Sequence, residues 1–133
     1  MTTLFKPIAV ALGLTMLFGH GPGHAGEVIA HPAVNLSPDE VREVFFGDKQ
    51  FAGSVKLVPI DNAAQQPEFL AKVLQIDGVK YSARWTKRAF REGLAAPSLK
   101  GSDAETIAFV KATPGALAYV AGSSSGVKVL HKY

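Results

Sequence analysis

Ser54-Val55-Lys56-Leu57-Val58-Pro59-Ile60 runs into Asp61-Asn62-Ala63-Ala64-Gln65-Gln66-Pro67, after which Phe69, Leu70, Val73 and Leu74 recur at helical spacing. The first seven residues alternate and cluster β-branched side chains, which predicts a strand. The next six are polar or small, and Pro67 sits near a first helical position, where its missing N–H is no loss. Strand, polar turn and helix start thus follow one another, the unit from which α/β folds are built. Such a junction aims free N–H groups and the positive helix end at one spot, a natural seat for an anion. Asp61, Gln65 and Gln66 are its candidate ligand side chains.

The same alternation extends in both directions. Gly26 to Pro32 is a short apolar run closed by Pro, which predicts a strand entering a loop. Ser37-Pro38-Asp39-Glu40 combines an N-cap Ser, a Pro at the first helical position and a Glu three residues on, which predicts a helix carrying Val41, Val44 and Phe45 inward and stopping at Gly47. A third helix over about 79–92 sets Tyr81, Trp85 and Ala89 on one face with Phe90 beside them, and Arg84, Lys87, Arg88 and Arg91 on the other. Gly93 to Lys100 reads as a loop, and Ser102-Asp103-Ala104-Glu105 opens a helix whose buried stripe is Ile107, Val110 and Ala108. Leu117–Val120 and Val127–Leu130 read as strands joined by a Gly/Ser turn over 122–126. The order β-α-β-α-α-α-β-β predicts an α/β domain, a small mixed sheet flanked by helices.

Upstream of this lies a different kind of segment. Met1 to Ala25 has a short basic start at Lys6, an apolar run from Pro7 to Phe18 and a tail ending Gly-His-Ala, the layout of a secretory signal peptide. The run of about 12 apolar residues is short of the roughly 20 that span a bilayer. Residues 1–25 are therefore expected to be removed, leaving 26–133 as a periplasmic or secreted domain without a stable membrane span. His20 and His24 belong to that leader. The 133 residues allow one domain, and the absence of cysteine excludes a disulfide framework, a thiolate nucleophile and a Cys-ligated metal or cluster. A net charge of +3 and a pI near 9.3 are mildly basic, without the runs of a nucleic-acid arm.

No motif nominates an enzyme. The chain after residue 25 holds no Walker loop, dinucleotide fingerprint, His-Glu-x-x-His or nucleophile elbow, and its two histidines, His31 and His131, lie at opposite ends with no third ligand indicated. No cofactor or metal is expected. Asp39, Glu40, Asp103 and Glu105 are accounted for by helix starts. Trp85 among cations could stack and neutralise a single strand of nucleic acid, but aromatic i, i+4 spacing is the pattern of a core stripe with its charges in water.

Five stretches, in order, resemble the periplasmic-binding-protein-like domain family, the phosphate-binding proteins of ABC transporters. They are Leu36-Ser37-Pro38-Asp39-Glu40-Val41 running into Phe45-Phe46-Gly47-Asp48-Lys49; Val58-Pro59-Ile60-Asp61; Phe69; Trp85 through Phe90; and Thr113-Pro114-Gly115-Ala116-Leu117-Ala118-Tyr119-Val120, similar to that family's Thr-Pro-Gly-Ala-Ile-Gly-Tyr-Val signature. The resemblance implies a single lobe of a type 2 periplasmic binding protein and a link to phosphate or another small oxyanion. It also implies that a Ser-Gly-Thr-type loop should open the helix after Asp61, whereas Asp61 to Gln66 contain no Ser, Thr or Arg. Arg84 or Arg88 would then be the charge donors that supplement Asp61, Gln65 and Gln66.

Magnitude limits what this set can do. Micromolar affinity needs about 8.2 kcal/mol, and charge-assisted hydrogen bonds net roughly 1.5–3 kcal/mol each before association costs. Two readings follow: a solute-binding-like domain that holds an oxyanion weakly in a transport context, and an accessory module that kept the fold and meets a transporter or other protein partner through its basic helix. They differ in whether Asp61 to Gln66 and the basic helix converge on one concave site.

Overall fold

A computed structural model describes residues 23–122 and 125–133. Residues 1–22 of the expected leader and Ser123 and Ser124 of the expected Gly/Ser turn lie outside the described residues. The strands are β1 (Glu27–Ala30), β2 (Phe51–Ala52), β3 (Val55–Lys56), β4 (Val58–Asn62), β5 (Ser98–Lys100), β6 (Ala116–Val120) and β7 (Lys128–Lys132). The helices are α1 (Pro38–Phe45), α2 (Gln66–Phe69) continued by a π-helical turn (Leu70–Leu74), α3 (Gly78–Glu92) and α4 (Asp103–Ala112). One five-stranded sheet runs in the order β5-β4-β6-β1-β7, with β4 parallel to β5 and β6 and β1 antiparallel to β6 and β7. β2 and β3 form a separate hairpin.

Helices cover both faces of the sheet, and the strand side chains divide accordingly. Val28, Ala30, Leu117 and Tyr119 point to the larger cluster with Phe45 of α1, Phe69, Leu74 and Trp85. Ile29, Ile60, Ala116, Ala118 and Val120 point to the smaller one with Val110 of α4. β6 is buried at all five positions, as expected of a central strand covered on both sides. A small mixed α/β sheet flanked by helices is thus the fold, as the alternation of elements predicts.

Local chemistry sets the boundaries. Ser37 caps α1 by accepting from the Glu40 N–H, and Glu40 accepts in return from the Ser37 N–H. Gly47 ends this segment at φ +81°, a left-handed conformation, and lies against the Trp85 ring where a Cβ would crowd it. Gly115, at φ +84°, turns the chain from α4 into β6 so close to β3 that a Cβ would land on the Lys56 carbonyl. Its own carbonyl accepts from the Val58 N–H at 2.9 Å.

Several expectations need correction. The single strand expected over 54–60 is divided between β3 and β4, with Leu57 bonded through its N–H to Gln50. Asp61 and Asn62, expected in the turn, continue β4 and are buried. The helix after Pro67 widens into a π-turn, in which the Gln75 N–H reaches back five residues to the Leu70 carbonyl and Gln75 closes the helix at φ +54°. The expected loop 93–100 ends in β5, stabilised by pairing with β4. Phe90 does not join the aromatic stripe and is 90% exposed, and in α4 Thr106 replaces Ala108 on the buried stripe.

Candidate functional site

Asp61 is the buried acidic side chain of the sheet. It sits one residue after Ile60 on β4, so its side chain faces the larger cluster, while Asn62 faces α4. Tyr119 of β6 donates to Asp61 Oδ1 at 2.8 Å, and the Tyr81 hydroxyl of α3 lies 3.0 Å from both carboxylate oxygens. Burial pushes the Asp61 carboxyl up to about 6, while the two phenol donors hold it back from rising further. Both phenols are pushed far above their ordinary range, first by burial and then by the Asp61 charge.

Beside Asp61 lies an open cleft of about 490 Å³ between α3 and the 96–99 segment. Asp61, Gln66, Tyr81, Ser82, Thr86 and Leu99 contribute to its lining. Asp61 and Gln66 therefore meet at one cleft. Gln65, buried, turns away and donates from Nε2 to the Ala25 carbonyl at 2.7 Å, linking the turn to the start of the sheet.

The turn amides have partners of their own. The N–H of Ala63 donates to the Lys100 carbonyl, that of Ala64 to Asn62 Oδ1 and that of Gln65 to the Asn62 carbonyl. Asn62 itself donates through Nδ2 to Asp103 at 2.7 Å and to the Tyr119 carbonyl at 3.0 Å. Asp103 also accepts from the Ala121 N–H, so the first turn of α4 ties together the ends of β4 and β6. With four residues, α2 supplies only a short N-terminus to the turn.

Arg84 and Arg88 lie on a different flank of α3. Arg84 donates to the Phe46 carbonyl and to Asp48 at 3.2 Å, with its guanidinium over the Phe46 ring. Arg88 pairs with Asp48 and with Glu92. Neither lines the cleft at Asp61, whose α3 wall is made by Tyr81, Ser82, Trp85, Thr86 and Ala89. Trp85 donates its indole N–H to the Phe45 carbonyl at 3.0 Å, which fixes the rotation of α3 and sends the two faces of the helix to different neighbours.

The pattern missed in the sequence is the pair of tyrosines. A Tyr in a strand buried on both faces must find a partner for its hydroxyl, and Tyr119 is the one polar side chain of the run 116–120.

Comparison with solved structures places this architecture. The chain is similar to an ABC-type phosphate transport receptor from Vibrio cholerae, with a TM-score of 0.59 and 12% sequence identity over 80% of this chain. The fold is periplasmic-binding-protein-like. The chain spans about 45% of the receptor chain's length. No family model and no curated protein sequence matches the chain. Among the described residues, no helix is long and apolar enough to cross a membrane, and no group of three or more His, Cys, Asp or Glu is placed to hold a metal.

Proposed function

We propose that this chain is an exported solute-binding-protein-like domain that serves oxyanion transport as an accessory module, meeting a protein partner rather than carrying a free anion. The observation that carries this reading is the fate of the donors. Three turn amides are bonded within the chain, and Arg84 and Arg88 are both engaged by Asp48. An anion arriving at the turn would have to replace these bonds, and each replacement subtracts from a net gain of only about 1.5–3 kcal/mol per charge-assisted bond. Export rests on the leader layout of residues 1–25 and predicts a mature N-terminus at Gly26 in the secreted or periplasmic fraction.

A second reading, weak binding of phosphate or another small oxyanion, is favoured by the cleft that Asp61 and Gln66 share and by the phosphate transport receptor's fold. Its ligand side chains would be Asp61, Gln65 and Gln66, with Arg84 or Arg88 released from Asp48 to supply charge. A thermal-unfolding titration with phosphate, sulfate, molybdate and chloride at matched ionic strength separates the two. A ligand with a Kd of 1 mM, present at 10 mM, stabilises by about 1.4 kcal/mol. The accessory-module reading expects no anion-specific shift. A rise specific to one oxyanion, lost in Gln65→Ala/Gln66→Ala, would replace it with the binding reading.

A further inference from the structure

We infer that the cleft beside Asp61 is a binding site for a small aliphatic amine, whose ammonium group pairs with the Asp61 carboxylate. Asp61 is 4% exposed, contributes to the wall of the cleft and makes no ion pair among the described residues. Its partners are two phenols. Tyr81 lies 3.0 Å from both carboxylate oxygens but has one proton to give, so with Tyr119 the group receives two hydrogen bonds where a carboxylate accepts about four. Buried carboxylates are ordinarily paired with a cation or fully hydrogen-bonded. Here a whole charge and about half of the acceptor capacity are left over.

The lining decides which ligand completes the set. It holds no Lys, Arg or His, and Arg84 and Arg88 are engaged by Asp48 on another flank of α3. A phosphate would bring further negative charge to a carboxylate with no cation beside it, and a neutral ligand would leave the charge as it is. A metal ion wants several oxygen ligands, and this cleft offers one carboxylate. A guanidinium binds best as a fork on both carboxylate oxygens, across which Tyr81 already lies. A primary ammonium gathers three donors at one point. One meets Asp61, and the others meet Gln66 Oε1 and Ser82 Oγ, side chains of the same cleft that have no hydrogen-bond partner among the described residues. Ala89 of α3 and Pro97 and Leu99 opposite supply apolar surface for a short alkyl chain, and Leu99 is otherwise 59% exposed. A cleft of about 490 Å³ is the size of a small-molecule site. None of the donors that carry the proposed function takes part, so the two readings can fail independently.

The test is a titration of the protein with n-butylammonium chloride at pH 7.5, above the Asp61 value of about 6, followed by nitrogen-15 NMR. n-Butanol, butyrate and phosphate are run beside it at matched ionic strength. Shifts are expected at Asp61, Gln66, Ser82, Thr86 and Leu99, with a roughly millimolar Kd for the amine and binding at least about tenfold weaker for the other three. Asp61→Asn keeps the shape, removes the charge and should weaken the amine about tenfold. Thr86→Lys, at an exposed position on the α3 wall, sets a resident ammonium in the cleft and should compete with the added one. Butanol binding as tightly as butylammonium would reduce the cleft to an apolar hollow, and phosphate shifting the same residues would make it an anion site; either overturns the inference. Undiminished binding by Asp61→Asn, or by Thr86→Lys should the first variant not fold, would overturn it as well. So would the absence of shifts up to about 50 mM amine, well above a millimolar Kd.

Discussion

Asp61 gives the protein an acid whose proton is held more tightly in the folded than in the unfolded chain, because burial outweighs the two phenol hydrogen bonds. Stability from this residue is therefore highest with the carboxyl protonated and falls as pH rises from about 4 through about 6, levelling above that. The interval from 3.8 to about 6 corresponds to roughly 3 kcal/mol. Glu40 works in the opposite direction, held below its ordinary value by the Ser37 N–H and by Lys49, so the comparison must be made between variants. Urea denaturation at pH 4.5 and 7.5 should show that Asp61→Asn loses most of the wild-type decline across this interval. Tyr119→Phe removes the 2.8 Å donor and should destabilise by about 1–3 kcal/mol at pH 7.5, and by less at pH 4.5. A larger loss at the lower pH would mean that the hydroxyl supports packing rather than the charge. Asp61 was legible in the sequence as a candidate, but its surroundings were not. The turn signal of Asp61-Asn62 was overridden by pairing of β4 with strands far along the chain, which drew both residues into the sheet. Tyr81 and Tyr119 reach Asp61 from separations of 20 and 58 residues, and no local pattern encodes that meeting.

The starts of α1 and α4 were legible because a cap is a local bargain among four residues. Ser37, Ser102 and Asp77 each accept from a backbone N–H three residues on. Removing the first, Ser37→Ala, should cost about 1 kcal/mol and lower the midpoint of thermal unfolding by a few degrees. Short strands were not legible, since β5 has three residues and owes its conformation to β4. The turn from α4 into β6 shows the same dependence on a distant element. Gly115 needs both a left-handed φ and the space beside the Lys56 carbonyl, two constraints that only glycine meets together. Gly115→Ala should therefore cost several kcal/mol, more than the strain of a left-handed alanine alone, because the β3 backbone must also move. A loss near 1 kcal/mol in denaturant unfolding would show that the hairpin yields easily.

At the scale of the whole molecule, the two hydrophobic clusters are separated by the sheet yet built from the same strands. β1 gives Val28 to one and Ile29 to the other, and β6 alternates in the same way between Leu117 and Ala118. Neither cluster can dissolve while its strands remain paired, and the strands lose half their cover if either does. The chain should therefore unfold in one cooperative step despite having two cores. Phe69 stacks on Tyr119 with ring centroids 3.9 Å apart in the larger cluster, while Ile60 lies in the smaller one. Phe69→Ala should cost about 3–5 kcal/mol and Ile60→Ala about 2–5 kcal/mol. Each should shift the far- and near-ultraviolet transitions together without splitting them. If Ile60→Ala instead released the α4 side in a separate early phase, with the aromatic signal of the Phe69 side intact, the sheet would be a partition between two independent units rather than their common frame.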